Sequence, residues 1–188
     1  MAKIRTFIAV EIPPGIKTKV AELQSELKQY GDKVNWVKPR GLHLTLKFLG
    51  ATEESLLDKI ISQLNAATTG TSPFQIKLEG LGAFPNLKRP RVLWCGVTDG
   101  ASGLSILASS IDRRLNTLGF AEENRPYSAH LTICRIKRWQ GLEELLEQVE
   151  KNQDFVAGAF MVSEIQLIKS ELTSQGAIHT PIQKVPLQ

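Results

Sequence analysis

The sequence predicts a duplicated, bilobal α+β fold whose sheets meet at a central cleft. Three observations predict it. Strand-like and helix-like periodicities follow one another as strand–helix–strand–helix–strand, and the order then restarts. The third element of each pass carries the same triplet, His43-Leu44-Thr45 and then His130-Leu131-Thr132. The stretch from Ile8 to His43 is nearly as long as the stretch from Trp94 to His130. Two copies are too few for a stacked array. The 188 residues therefore read as one domain, 1–188, with pseudo-repeats of about 1–85 and 90–188.

The elements follow from local patterns. In "KIRTFIAVEI", Ile4, Thr6, Ile8, Val10 and Ile12 form one row, mostly apolar and β-branched, so this is a strand. Pro13-Pro14 stops it, and Pro14 opens a helix. Ile16, Val20, Leu23, Leu27 and Tyr30 recur at helical spacing, with Gly31 as the expected stop. "GLHLTLKFLG" is the next strand. Thr52 is the expected N-cap of a second helix, with Glu53 and Glu54 in its first turn. Leu56, Leu57, Ile60, Ile61 and Leu64 supply its apolar stripe. "PFQIKLEGL" is a strand. "FPNLKRPRV" then joins the halves and reads as an exposed, mobile loop carrying Lys88, Arg89 and Arg91.

In the second half "RVLWCGV" is a strand. Leu104, Leu107, Ala108, Ile111, Leu115 and Leu118 define a helix ended by Gly119. The second triplet strand follows, then a helix with Leu142, Leu145, Leu146 and Val149 inward. "FMVSEIQLIKSEL" is strand-like, and a short strand in "AIHTPIQKV" closes the pattern.

Bulk properties narrow the class. A hydrophobic content of 42% and a charged content of 22% are ordinary for a globular chain. The net charge of +4 suits an anionic partner without demanding one. Cys95 and Cys134 lie in apolar strand-like runs without a Cys-x-x-Cys, as buried free thiols in a reducing compartment would. The first residues read as a strand and not a signal peptide. No stretch is apolar for long enough to span a bilayer. The expectation is a soluble, cytoplasmic monomer.

The paired triplets carry the chemistry. Residues i and i+2 share a strand face, so His43 and Thr45 point one way while Leu42, Leu44 and Leu46 point into a core. His130 and Thr132 are likewise opposed to Leu131 and Ile133. If the lobes are related by a two-fold, the four polar side chains converge. Imidazole titrates near neutral pH, so two of them can serve as acid and base in one turnover. Threonine hydroxyls can donate to anionic oxygen. The set fits an in-line displacement at phosphorus, with one histidine activating water and the other protonating the departing oxygen. A strained cyclic diester needs no metal for this. A lone strand histidine is more often structural, but repetition at matching positions favours function. A zinc site lacks a third ligand at suitable spacing.

These residues resemble the two-histidine (2H) phosphoesterase superfamily. More narrowly they resemble the RNA 2′,3′-cyclic 3′-phosphodiesterases, historically called 2′-5′ RNA ligases. The likeness runs through "RTFIAVEIP", "NWVKPRGLHLTLKFLG", "PRVLWCGV", "RPYSAHLTICRI" and "LIKSELTSQGAIHTPI". It implies two antiparallel-rich sheets facing a central cleft, with helices on the outer faces. It implies hydrolysis of RNA 2′,3′-cyclic phosphate ends to 2′-phosphate, without metal or other cofactor. It implies His43 and His130 as the acid/base pair; we assign His43 to the 3′-oxygen and His130 to the water, two roles that the two-fold makes nearly exchangeable. Thr45 and Thr132 become phosphate-binding residues. Phe48 and Arg135, each five positions past its histidine, become the two sides of a nucleobase clamp. Strict alternation sets both on the wrong face, so each strand must bend or end before them.

The chain departs from that pattern at Ala129, where proline is common, and at His179, where an aromatic is common. His179 reads as structural or exposed, with a change in substrate contacts expected if it enters the cleft, and Lys88, Arg89 and Arg91 read as solvated charges rather than RNA contacts. The nearest alternatives are the same chemistry on a small nucleotide cyclic phosphate and reversible 2′-5′ RNA ligation. A non-catalytic RNA-end-binding module is the alternative of another class, although it would not need both histidines.

Overall fold

The computed structural model describes residues 2–31, 34–174 and 176–188. Thirteen elements frame the site: β1 (Lys3–Glu11), α1 (Pro14–Lys28), β2 (Asn35–Trp36), β3 (His43–Glu53), α2 (Leu57–Thr68), β4 (Phe74–Phe84), β5 (Val92–Asp99), α3 (Ala101–Asn116), β6 (His130–Arg135), α4 (Glu143–Lys151), β7 (Val156–Val162), β8 (Glu164–Thr173) and β9 (Gly176–Pro186). Two sheets result, a four-stranded one in the order β3-β1-β8-β9 and a five-stranded one in the order β2-β6-β5-β4-β7. Every pairing is antiparallel.

Each sheet draws strands from both halves of the sequence. The four-stranded sheet joins β1 and β3 to β8 and β9, and the five-stranded sheet takes β4 from the first half. The helices cross over as well. α1 follows a strand of the four-stranded sheet, yet it packs on α4 and β7. α3 follows a strand of the five-stranded sheet, yet it packs on α2 and β3. One continuous apolar core therefore runs through all four helices and both sheets. Each fully buried leucine in it, such as Leu44 or Leu131, contributes roughly 1.5–3 kcal/mol of transfer free energy.

Several expectations are corrected. Thr52 does not cap α2. It lies in β3, 1% exposed, with its hydroxyl 2.7 Å from that of Thr6. The strand overrides the capping signal because β1 offers a ladder partner there. Tyr30 is not in the α1 stripe; it is 41% exposed, because α1 ends at Lys28. Gly31 is needed for packing instead: a Cβ there would sit 2.6 Å from Leu145 Cδ2. "FMVSEIQLIKSEL" is not one strand. It breaks at Ser163, and β7 and β8 enter different sheets. The closing strand is long, and it pairs along all of β8.

The connection between β4 and β5 is anchored where a mobile loop was expected. Asn86 Oδ1 accepts from the backbone N–H groups of Lys88 and Arg89 at 3.0 and 3.1 Å. Arg91 donates to the Lys137 carbonyl at 2.7 Å, and Arg89 lies 6.0 Å from the Trp139 ring centroid. Cys95 and Cys134 are free and fully buried, and burial pushes both thiols up to about 12. No helix among the described residues is long and apolar enough to cross a membrane.

Candidate active site

The two triplets open β3 and β6, and these strands pack against each other although they belong to different sheets. One side chain ties them. Tyr127, three residues before His130, donates its hydroxyl to the Thr45 carbonyl at 3.0 Å. Burial pushes its phenol pKa up, so it stays a neutral donor.

Both strands alternate as the sequence requires up to the threonine. His43 and Thr45 are part-exposed between buried Leu42, Leu44 and Leu46, and His130 and Thr132 are part-exposed between Leu131 and Ile133. Alternation then resets. Ile8 pairs with Lys47 and Ala9 with Thr45, so Leu46 is an extra residue on β3. Leu93 pairs with Cys134 and Trp94 with Thr132, so Ile133 is the extra residue on β6. Each is a β-bulge, with two successive buried side chains. After it, Phe48 and Arg135 emerge on the histidine side. Phe48 is 57% exposed, with its ring 6.0 Å from that of Phe7. Arg135 is exposed, and its charge acts on His43. The bend that a clamp at these positions requires is present twice.

The bulges are held by specific bonds. The Ile133 carbonyl accepts from Gln24 Nε2 at 2.8 Å and from the Val37 N–H at 3.1 Å. On β3, Lys47 is 3% exposed and turns inward to ion-pair with Asp112 of α3, and it donates to the Ala121 carbonyl at 2.7 Å.

The two histidines are set alike. His130 Nδ1 lies 2.7 Å from the Ser128 carbonyl, two residues back. A carbonyl only accepts, so Nδ1 carries the proton and the neutral ring keeps its lone pair on Nε2. His43 bonds to the backbone of Gly41, again two residues back. Each also has an aromatic neighbour, Phe7 at 4.7 Å from His43 and Phe84 at 4.9 Å, edge-on, from His130. Trp94 backs Phe84 at 5.3 Å and covers Gly82, where a Cβ would sit 2.4 Å from the indole ring. The Thr45 and Thr132 hydroxyls make no hydrogen bond among the described residues, so both can receive a ligand oxygen.

His179, read as structural or exposed unless it enters the cleft, lines the same depression as His43. β9 carries it beside His43, with the rings 5.0 Å apart and edge-on, and 5.0 Å from Phe7. The His43 pKa is lowered to about 4, first by burial, then by His179, with Arg135 and Lys17 adding positive potential; the bond to Gly41 opposes this. Burial also lowers the His179 pKa. Sequence reading missed Phe7, Phe84, Trp94 and Tyr127 as well. Trp94 had served only as a spacing landmark, and its register partner Thr132 makes Ala9, not Ile8, its counterpart. No group of three or more His, Cys, Asp or Glu residues among the described residues is placed to hold a metal ion.

The linkage to stability has a definite sign. His43 is protonated near 6.5 when unfolded and near 4 when folded. Its contribution is complete above pH 6.5 and is lost as pH falls through 4. The ceiling is about 3 kcal/mol, reduced to ~2 kcal/mol by the part-exposed ring. Urea midpoints measured from pH 7.5 to 4 should therefore fall more steeply for the wild type than for His43→Gln. Parallel curves would exclude His43 as the source.

The model of the LigT like phosphoesterase family matches residues 10–94 and again 96–179. The chain belongs to this family. As a LigT-like phosphoesterase it is 36% identical over 181 residues to a protein of Methanothermobacter thermautotrophicus named RNA 2′,3′-cyclic phosphodiesterase, covering 96% of this chain and 97% of that one. A relative of the same name from Archaeoglobus fulgidus is 38% identical over 176 residues, covering 94% and 96%. Among solved structures, TT0787 of Thermus thermophilus superposes with a TM-score of 0.80 at 26% identity, over 98% of both chains. E. coli LigT complexed with 3′-AMP shares the fold of this phosphoesterase, with a TM-score of 0.76 at 23% identity over 99% of both chains.

Proposed function

We propose that this phosphoesterase hydrolyses RNA 2′,3′-cyclic phosphate ends to 2′-phosphate, with His43 and His130 as its acid/base pair. The observation that carries the reading is the doubled device. Two histidines, each bonded to the backbone two residues back, are each followed by a threonine hydroxyl with no hydrogen bond among the described residues and by a bulge, on strands that pack together. Relatives of the chain carry the name of this activity.

The bare Nε2 of His130 takes a proton from water as the water oxygen attacks phosphorus. The bond from phosphorus to O3′ breaks, and His43 delivers a proton to O3′. A protonated His43 is a strong acid, because burial and the nearby charges destabilise the cation. The anionic phosphate opposes the Arg135 and Lys17 fields and so draws the proton onto His43 before the bond breaks. Thr45 and Thr132 donate to the non-bridging oxygens. Phe48 below and Arg135 above hold the base through its faces, without reading its edges.

The same reading makes residues 1–188 one bilobal domain acting as a cytoplasmic monomer on RNA ends, in keeping with the two buried free thiols. The test is a nucleoside 2′,3′-cyclic phosphate incubated in excess EDTA, with the products separated. The expected product is the 2′-phosphate, with a bell-shaped dependence of kcat/KM on pH. Binding without turnover would replace this reading with that of an end-binding module.

A further inference from the structure

Gln166 has a hydrogen-bonding capacity that neither the fold nor the proposed mechanism uses. It lies on β8 in the cross-strand row Thr45–Ala9–Gln166–Lys184, on the cleft side of the four-stranded sheet, and is 2% exposed. Its Nε2 is 3.3 Å from Glu164 Oε1, and Glu164 is itself held by Lys184 at 2.9 Å. A carboxylate only accepts, so this contact fixes the amide orientation. Oε1 then has no hydrogen-bond partner among the described residues. A buried acceptor left unpaired is costly, and a ligand donor removes the cost.

Gln166 helps to line a depression of about 330 Å3 that adjoins His43, together with Glu11, Arg40, His179 and Lys184. The Glu11 carboxylate is engaged by Lys17. Arg40 is exposed in the short turn just before β3 and makes no ion pair among the described residues. One depression thus gathers an acceptor in want of a donor and a guanidinium in want of an anion. An ionised phosphate gives Gln166 nothing, because its oxygens accept. A deoxyribose gives it nothing either. A ribose 2′-hydroxyl next to its phosphodiester satisfies both groups.

We propose that this depression is a second nucleotide subsite, holding the ribonucleotide on the 5′ side of the cyclic phosphate. Gln166 Oε1 accepts from its 2′-hydroxyl, and Arg40 pairs with the linking phosphodiester. Lys184, the register neighbour of Gln166, is exposed at the rim of the depression and paired with Glu164. This rests on the RNA-end reading above and adds to it a preference for length and for ribose at the second position.

The test compares three substrates: a mononucleoside 2′,3′-cyclic phosphate, a diribonucleotide ending in the cyclic phosphate, and the same dinucleotide with a 2′-deoxy sugar at its 5′ residue. The diribonucleotide is expected to exceed the deoxy dinucleotide by about tenfold in kcat/KM, the worth of one such bond in a part-open site, and the mononucleotide by more, because that substrate lacks the phosphodiester as well. Gln166→Leu is expected to bring the ribo-to-deoxy ratio to about one. Arg40→Gln, a surface change that leaves folding intact, is expected to shrink the advantage of the dinucleotides over the mononucleotide. A ribo-to-deoxy ratio of one in the wild type, or a ratio that survives Gln166→Leu, overturns the subsite alone. Failure to hydrolyse any of the three removes the RNA-end reading and the subsite with it.

Discussion

Replacing either His43 or His130 with alanine is expected to lower kcat on a nucleoside 2′,3′-cyclic phosphate by about 10²–10⁴-fold. On the proposed mechanism each ring supplies one proton transfer. Among the described residues, the other titratable ring close to either is His179, which contacts His43 and not the Ser128-bonded His130. The double variant should be little worse than the weaker single one, since acid and base act in one concerted step. The pH profiles add a discriminating readout. His130→Ala should lose the limb that rises with pH, because the free base is gone, and His43→Ala the limb that falls. Both rings are part-exposed, so the melting curves should stay cooperative. Turnover near the wild-type level in either variant would refute the paired scheme.

Lys47→Ala is expected to destabilise the fold by about 2–4 kcal/mol, because it strips the partner from a largely buried carboxylate and carbonyl. The Lys47 side chain is 2% exposed and that of Asp112 20%. Among the described residues, Asp112 keeps besides Lys47 only the Glu123 N–H, at 3.1 Å. The loss should appear as a lower urea midpoint with an unchanged slope. Lys47→Met with Asp112→Asn should recover most of it, since an apolar chain of similar length fills the space and no charge is left alone. A cost below about 1 kcal/mol for Lys47→Ala would show that the pair is well solvated and worth little. The prediction bears on function because Lys47 is the second residue of the β3 bulge, and the bulge is what turns Phe48 toward the cleft.

Much of this was legible in the residues. The row Ile8, Val10 and Ile12 is buried, with Phe7 and Ala9 of the opposite row buried as well, and the α3 stripe from Leu104 to Leu115 is buried at every position. The triplets sit at the starts of two strands, with their leucines inward. The bulges were not legible. On β6 the successive apolar pair Ile133-Cys134 is a faint signal of lost alternation. On β3 there is none, because Lys47 after Leu46 looks like an ordinary solvent-facing residue until α3 brings Asp112 to it. Thr52 was misread for a similar reason: its capping potential is local, and the ladder with β1 that overrides it comes from residues far away in sequence.

The sequence by itself determined the order of elements, the duplication and the two His-Thr pairs, because these depend on side-chain period and type within a few residues. The tertiary structure decided how those pieces combine. It exchanged strands and helices between the halves, brought β3 against β6, set His179 beside His43, and left Gln166 Oε1 without a partner among the described residues. Those outcomes depend on contacts between residues distant in the chain, where register and burial are settled only when the sheets pack, and no local pattern encodes them.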